Sequence, residues 1–554
     1  MRSFDYSTNS FSVGNHIGMT QPFTQTVAMA GVYLALLLVA PFCQLTAADV
    51  TLTQTKFKAA VYEHRVVNPR PPGVATRAEA LRYMMRNVDI YKTQAVEAKA
   101  QGADILVFPE DGIYGLNFTR ESIYNYLEQI PEPLAPAWSP CNDPDLHQGT
   151  EILRELSCIA RNNSMFLVAN MGDKQPCNIK TVRSCPEDGR YQFNTNVAFD
   201  PNGTLVARYH KHHLFVDEQH QFNAADLEVV YFDTPFGRFG LMICFDIFFS
   251  EPGLSIVLKH KIANIAYPVA WYDNLPLLSA LGFHSSFARG LGINLLAANA
   301  HAPDKRMYGS GVYSPDGMKA FYYDSSPESL PKLLIAELDV LSEPKSNIEI
   351  PTDARYASNE ERERERARYD NLLEPDCDGI SINANVRLPF DEFYSYLLYD
   401  KFTFKTLKRH SGGLKVCQNA ICCHLHYSLA ERSSWKDLFA FGAFDGLHTY
   451  EGHFYFQICA LVKCTDANNR TSCGSATDTS TTWFSYLNIR AELSTPFIYP
   501  QIVLSDGKGE LLLANSTTWG FKNASLWTNV APEKPILSAA LFGRYYQRDN
   551  HPTT

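Results

Sequence analysis

The chain is 554 residues long, 45% hydrophobic and 19% charged, with a formal net charge of −10. That length exceeds one ordinary hydrophobic core and predicts two domains. A globular composition with an acidic excess argues against a nucleic-acid surface and leaves small neutral or anionic substrates open.

Val27 to Ala40 is a run of apolar and small residues, followed by Pro41 and by Thr46-Ala47-Ala48 before Asp49. It falls short of the roughly 20 apolar residues that span a bilayer, so residues 1–48 are expected to be a secretory signal. The segment before it carries only Arg2 and Asp5, where a basic start is the rule; translation from Met19 or Met29 would shorten it. Phe57 to Glu63 has partial strand alternation. Arg77 to Ala100 carries helix formers with apolar positions at Leu81, Met84, Met85, Val88, Tyr91 and Val96. Short apolar runs follow at 105–108, 165–169, 197–199, 229–232, 239–243, 262–267 and 293–298, separated by turn-rich or helical stretches. Strands alternating with helices predict an α/β layered architecture. Asn359 to Arg368 alternates sign so densely that it reads as a solvated helix or linker. The boundary is therefore set at 346–376, between a catalytic region at 49–345 and a C-terminal region at 377–554. In the latter, 454–461, 483–489 and 501–504 read as strands of a β-rich, disulfide-braced domain.

One feature carries chemistry. The apolar strand Phe239 to Ile243 delivers Cys244 to the turn Cys244-Phe245-Asp246-Ile247-Phe248-Phe249-Ser250-Glu251-Pro252. A thiol placed there is held by the sheet behind it, and backbone N–H groups of the turn can face a developing oxyanion. Glu110 ends the run Ala103 to Glu110, and Lys211 lies within Arg208 to Phe215, both in similar settings. Each alone has a plain structural reading: a packed thiol, a solvated turn carboxylate, a surface lysine. Together they offer a nucleophile, a base and a cation. The cation is needed, because a carboxylate beside a thiol otherwise opposes thiolate formation.

Glu, Lys and Cys in that order, each closing or following an apolar strand, resemble the nitrilase (carbon-nitrogen hydrolase) superfamily from Phe57 to Leu338. The closer likeness is to its vanin (pantetheinase) and biotinidase branch. It is carried by Phe108 to Gly115, Pro140 to Pro144, Gly189 to Asn194, Tyr209 to Phe215, Cys244 to Pro252, Asn294 to His301 and Gly309 to Tyr313, and continues in Phe441 to Thr449. The resemblance implies a four-layer α-β-β-α sandwich followed by the β-rich domain. It implies Cys244 as nucleophile, Glu110 as proton acceptor and Lys211 as proton donor and oxyanion stabiliser, with no cofactor and no metal. Glu218 corresponds to a further acidic residue, and Tyr114, Trp271, His284 and His301 are candidates for the pocket, each with an equally good reading as core. Asp246 is either catalytic support or a turn-stabilising side chain. The implied reaction is hydrolysis of a linear amide through a thioester, either pantetheine to pantothenate and cysteamine or biocytin to biotin. Arg208 to Lys211 and Gln221-Phe222-Asn223 are vanin-like and Gly292 to Asn299 is biotinidase-like; the balance favours pantetheine.

Six Asn-x-Ser/Thr sites, at Asn117, Asn162, Asn202, Asn469, Asn515 and Asn523, fit an exported glycoprotein. So do the 13 cysteines. Setting aside Cys43 in the signal and the reactive Cys244, four precede the nucleophile (Cys141, Cys158, Cys177, Cys185) and seven follow it (Cys377, Cys417, Cys422, Cys423, Cys459, Cys464, Cys473). Bridges confined to each side leave at least one C-terminal thiol unpaired. Vanins commonly end in a lipid-anchor signal with an apolar tail. Phe542 to Thr554 offers none, so a secreted form without a lipid anchor is expected; oligomeric state stays open.

Three other classes fit these residues less well. A cysteine protease would pair Cys with His, yet the local signatures of papain-like and caspase nucleophiles are absent around Cys244. A metal site is suggested by His210-Lys211-His212-His213 and by Cys422-Cys423-His424-Leu425-His426, but neighbours on a strand face opposite ways and extracellular cysteines pair. A catalytically silent binding module gives no physical reason for Glu110, Lys211 and Cys244 together.

Overall fold

A computed structural model describes residues 54–549, apart from 68–72, 134–136, 347, 349–390, 432 and 434–435. The expected signal, the alternating-charge run and Cys377 lie outside the described residues. The first half contributes strands β1 (Lys56–Glu63), β2 (Ile105–Val107), β3 (Phe166–Pro176), β4 (Arg190–Phe199), β5 (Leu205–His210), β6 (Tyr231–Thr234), β7 (Gly237–Leu241), β8 (Asn264–Val269), β9 (Asn294–Asn299), β10 (Ser310–Ser314), β11 (Gly317–Tyr322) and β12 (Lys332–Asp339). They form two 6-stranded sheets, ordered β12-β1-β2-β3-β4-β5 and β11-β10-β9-β8-β7-β6.

The central strands β1–β3 and β7–β9 run parallel within their sheets. They are buried on both faces, which is why they read as unbroken apolar runs rather than as alternation. The period of 2 survives in what each face touches. Phe57, Ala59, Val61, Ile105, Val107, Phe166 and Val168 meet Phe239, Leu241, Ala266, Leu296 and Ala298 between the sheets. The intervening Ala60, Tyr62, Leu106, Leu167 and Ala169 face the helices Arg77–Ala100 and Glu151–Asn162. On the second sheet Ile265, Tyr267, Leu295 and Ala297 face the helix Ala280–Leu291. The result is the α-β-β-α sandwich expected.

Arg77–Ala100 starts at a capping box, in which the Thr76 side chain accepts from the Glu79 N–H and the Glu79 carboxylate accepts from the Thr76 N–H. Its buried stripe runs Ala80, Tyr83, Met84, Asn87, Val88, Tyr91, Ala95 and Ala98. Val96, counted on the apolar face from sequence, is 57% exposed. Small residues at 95 and 98 admit the sheet, and the larger valine beside them points away.

The C-terminal half pairs a 7-stranded with a 5-stranded sheet. The three strand segments anticipated there appear as Phe454–Lys463, Phe484–Ala491 and Ile498–Ser505. Five disulfides, Cys141–Cys158, Cys177–Cys185, Cys417–Cys422, Cys423–Cys459 and Cys464–Cys473, stay on their own sides of Cys244. Cys423–Cys459 ties the two C-terminal sheets together. All six sequon asparagines are exposed. Among the described residues, no helix is long and apolar enough to cross a membrane.

The Ala280–Leu291 helix lies between the second sheet and the strand Ile498–Ser505. Gln501 Nε2 donates to the Leu277 carbonyl at 3.0 Å, and Ser538 Oγ to that of Pro276 at 3.2 Å. Close approach depends on glycine: a Cβ on Gly290 would stand 2.8 Å from the Tyr499 ring and 2.9 Å from the Ile498 carbonyl oxygen. Gly→Ala in a helix ordinarily stabilises by about 1 kcal/mol. Here overlap with backbone costs about 1–3 kcal/mol and wins. Gly290→Ala is therefore expected to lower Tm in differential scanning fluorimetry; a raised Tm would mean that the strand does not press on this helix.

Candidate active site

Three strand ends converge. Glu110 follows β2, Lys211 follows β5 directly, and Cys244 opens a single 3-10 turn, Cys244–Phe248, after β7. The sheets hold the backbone, and the polar ends emerge where pairing stops. Lys211 and Glu110 are 1% and 2% exposed. Lys211 Nζ donates to Glu110 Oε1 at 2.7 Å and to Glu218 Oε2 at 2.5 Å. Asn194 Nδ2 donates to the same two carboxylates, at 2.8 Å to Glu110 Oε1 and 2.5 Å to Glu218 Oε1. The second Glu110 oxygen accepts the Ala270 N–H at 2.8 Å. Cys244 lines the cavity with all three charged groups, and it is the free cysteine among the described residues.

The Cys244 backbone sits at φ +40°, a left-handed conformation that a side-chain-bearing residue keeps only when its surroundings hold it. Asp246 does much of the holding. Its Oδ2 accepts from the Ile243 N–H at 3.0 Å and the Tyr209 hydroxyl at 2.8 Å, and its Oδ1 from the His213 N–H at 3.2 Å. The Tyr267 hydroxyl donates to the Cys244 carbonyl at 2.5 Å. Of the two readings open for Asp246, the geometry is that of the turn-stabilising one.

Burial dominates the electrostatics. It pushes the Cys244 thiol well above its ordinary range, Glu110 adds to that, and Lys211 opposes it. Burial works against the Lys211 ammonium, but Glu110, Glu218 and Cys244 outweigh it and hold its pKa well up. Glu218 is raised by burial against the pull of Lys211. Asp246 is pushed up to about 7 by burial, again against Lys211. Asp111, beside Glu110, is raised well up by burial and then by its two acidic neighbours. At rest the pocket thus favours a neutral thiol beside a charged lysine.

The cavity measures about 300 Å³, at the lower end of small-molecule sites. Phe245, Phe248, Trp271, Tyr272 and Met307 supply apolar wall, and Tyr399, Tyr450 and Glu451 reach it from the C-terminal half. Of the pocket candidates, Glu218 and Trp271 line it. Tyr114 does not; it is buried behind, its ring edge-on to Phe118 and Phe222. His301 lines a neighbouring cavity and pairs through Nδ1 with buried Glu63 at 2.7 Å. His284 is core, edge-on to Trp271, its pKa lowered to about 3 by burial.

In the two segments with metal-ligand side chains, most of those side chains already have partners. His210 meets Asp173, His212 the Ala225 carbonyl and His213 that of Glu251, while Cys422 and Cys423 are in disulfides. Sequence reasoning passed over the ladder Asn170, Asn194 and Asn196. These asparagines on β3 and β4 are fully buried, and Asn170 Nδ2 donates to both of the others. Three asparagines inside apolar strands were the available signal, since a buried amide needs partners.

A family profile described as carbon-nitrogen hydrolase matches residues 65–280, and one described as the vanin C-terminal domain matches 392–549. The pantetheinase of Mus musculus is 43% identical over 496 residues, covering 89% of this chain and 90% of that protein. The biotinidase of Rattus norvegicus is 39% identical over 503 residues, covering 89% and 93%. Among solved structures, a Nesterenkonia amidase from the nitrilase superfamily is 19% identical, covering 58% of this chain and 100% of that one with a TM-score of 0.36.

Removing the cation would leave two buried carboxylates facing each other. Lys211→Met is expected to cost about 3–5 kcal/mol of stability at neutral pH. The deficit shrinks in mild acid, because carboxyls whose folded pKa is raised bind protons more readily folded than unfolded and so regain stability as pH falls. Urea unfolding at the two pH values measures it, and a deficit that is constant or grows in acid would contradict the assignment.

Proposed function

The chain belongs to the carbon-nitrogen hydrolase family, in the branch of the pantetheinases and biotinidase, and on that premise we propose that it cleaves pantetheine to pantothenate and cysteamine through Cys244. The observation that carries the reading is the buried Glu110–Lys211–Glu218 knot in one cavity with an unbridged thiol. Ion pairs this buried are a poor device for stability alone.

The proposed steps follow from the charges. Glu110 takes the thiol proton as sulfur bonds to the amide carbon, so that a full thiolate never has to form in a site that disfavours it. Negative charge moves to the former carbonyl oxygen, where Lys211 and the N–H following Cys244 stabilise it. The carbon–nitrogen bond then breaks as protonated Glu110 gives its proton to the departing amine. A thioester remains. Glu110 next takes a proton from water, the water oxygen adds to the thioester carbon, and the carbon–sulfur bond breaks. The proton returns to sulfur and the acid product leaves. Glu218 and Asn194 keep Lys211 and Glu110 aligned without entering the bonds that change.

Secretion is part of the proposal. Five disulfides form and persist in an oxidising compartment, and the exposed sequons are open to glycan addition. The second reading, release of biotin from biocytin, keeps every step and changes only the acyl and amine arms; the 39% identity to a biotinidase favours testing it.

Purified protein incubated with each compound, following free cysteamine and free biotin, is expected to release cysteamine faster. Cys244→Ala should lose about 10³-fold or more in kcat, and Glu110→Gln about 10²–10⁴-fold. Faster biotin release would transfer the assignment to the second reading, and equal turnover by Cys244→Ala would remove the thioester route.

A further inference from the structure

We propose that Arg544, supplied by the C-terminal half, is a positioning residue for the hydrolysis: it fixes the far end of the turn that carries Cys244 and so sets where the sulfur and the adjoining N–H face the acyl carbon. The inference rests on the amidase reading above. Arg544 ends the strand Ile536–Arg544, and its side chain is 0% exposed. Nε and Nη2 both donate to the Phe248 carbonyl, at 3.1 and 2.7 Å. Nη1 and Nη2 grip the Asp549 carboxylate at 2.8 and 2.6 Å, and Nη1 also reaches the Tyr455 carbonyl at 3.1 Å. These bonds occupy every N–H that a guanidinium carries. Its carbon lies 4.2 Å from the Tyr546 ring centroid and 5.1 Å from that of Phe454.

Phe248 is the last residue of the Cys244–Phe248 turn, and its side chain lines the cavity. Asp246 pins the start of this turn from within the catalytic half. The Phe248 carbonyl, at the other end, is met by Arg544 across 296 positions of sequence. Contacts at both ends over-determine a turn whose first residue sits at φ +40°. Lysine cannot replace the fork, since an ammonium is a point charge on a flexible stem.

The test compares full-length Arg544→Lys, Asp549→Asn and a control, Leu526→Ala, which opens a void in the core of the C-terminal sheets away from the turn. Each is measured for Tm, for kcat and KM on pantetheine, and for the rate of Cys244 alkylation by iodoacetamide. Displacement of reacting groups by about 1 Å costs on the order of 10²-fold. Arg544→Lys should therefore lose roughly 10–100-fold in kcat per folded molecule and Asp549→Asn a smaller factor, with KM held within about twofold and alkylation slowed in parallel. The control should lose Tm and keep kcat. Unchanged kcat in both folded variants, or an equal kcat loss in the control, would overturn the proposal. So would failure of both variants to fold, which would make Arg544 a folding residue only. A wild-type protein inert toward pantetheine and biocytin alike would remove the amidase reading and this inference with it.

Discussion

A single ammonium, that of Lys211, between two largely buried carboxylates is the constraint around which the site is arranged. Two anions and one cation do not cancel, so the residual charge must be spread over neutral donors. The asparagine ladder does this from one side and the Ala270 N–H from the other. Each of these partners lies on a strand or at a strand end, and a change in sheet register would move every one of them. The register is in turn fixed by burial on both faces, because a slip of one residue would exchange the contents of the two cores. Tight packing of the sandwich and exact placement of charge are therefore one requirement seen at two depths.

Much of this was legible in the sequence, for identifiable reasons. Strands that are apolar on both faces stand out as unbroken runs, and the residues just past their ends, Glu110, Lys211 and Cys244, are conspicuous as charge or thiol beside hydrophobe. Trp271 and Glu218 were named through the family resemblance rather than by this logic. Other residues were not legible. Asn170 and Asn196 look like turn formers until the strands around them are known, and Tyr114 looks like a pocket residue because nothing in its neighbours says which face it takes. Val96 fell to the same ambiguity, since a helix that buries alanines hides its inner face from a hydrophobicity count. Tyr399, Tyr450 and Arg544 were beyond reach, because only three-dimensional closure brings residues of the C-terminal half to the cavity.

That closure gives the C-terminal half more than a bracing role. Its strand Ile498–Ser505 lies against two glycines of the Ala280–Leu291 helix, Gly282 and Gly290, and its aromatic residues complete the cavity wall. The sandwich alone would leave Phe248 without its carbonyl partner and the cavity open on one flank.

The protonated resting sulfur has a consequence for durability. Oxidised glutathione and peroxide are attacked by thiolates and hardly at all by thiols. A cysteine whose thiol is pushed up by burial and by its acidic neighbour therefore resists capture, while the ten other described cysteines are closed into bridges. Low reactivity toward oxidants at rest is what this arrangement provides.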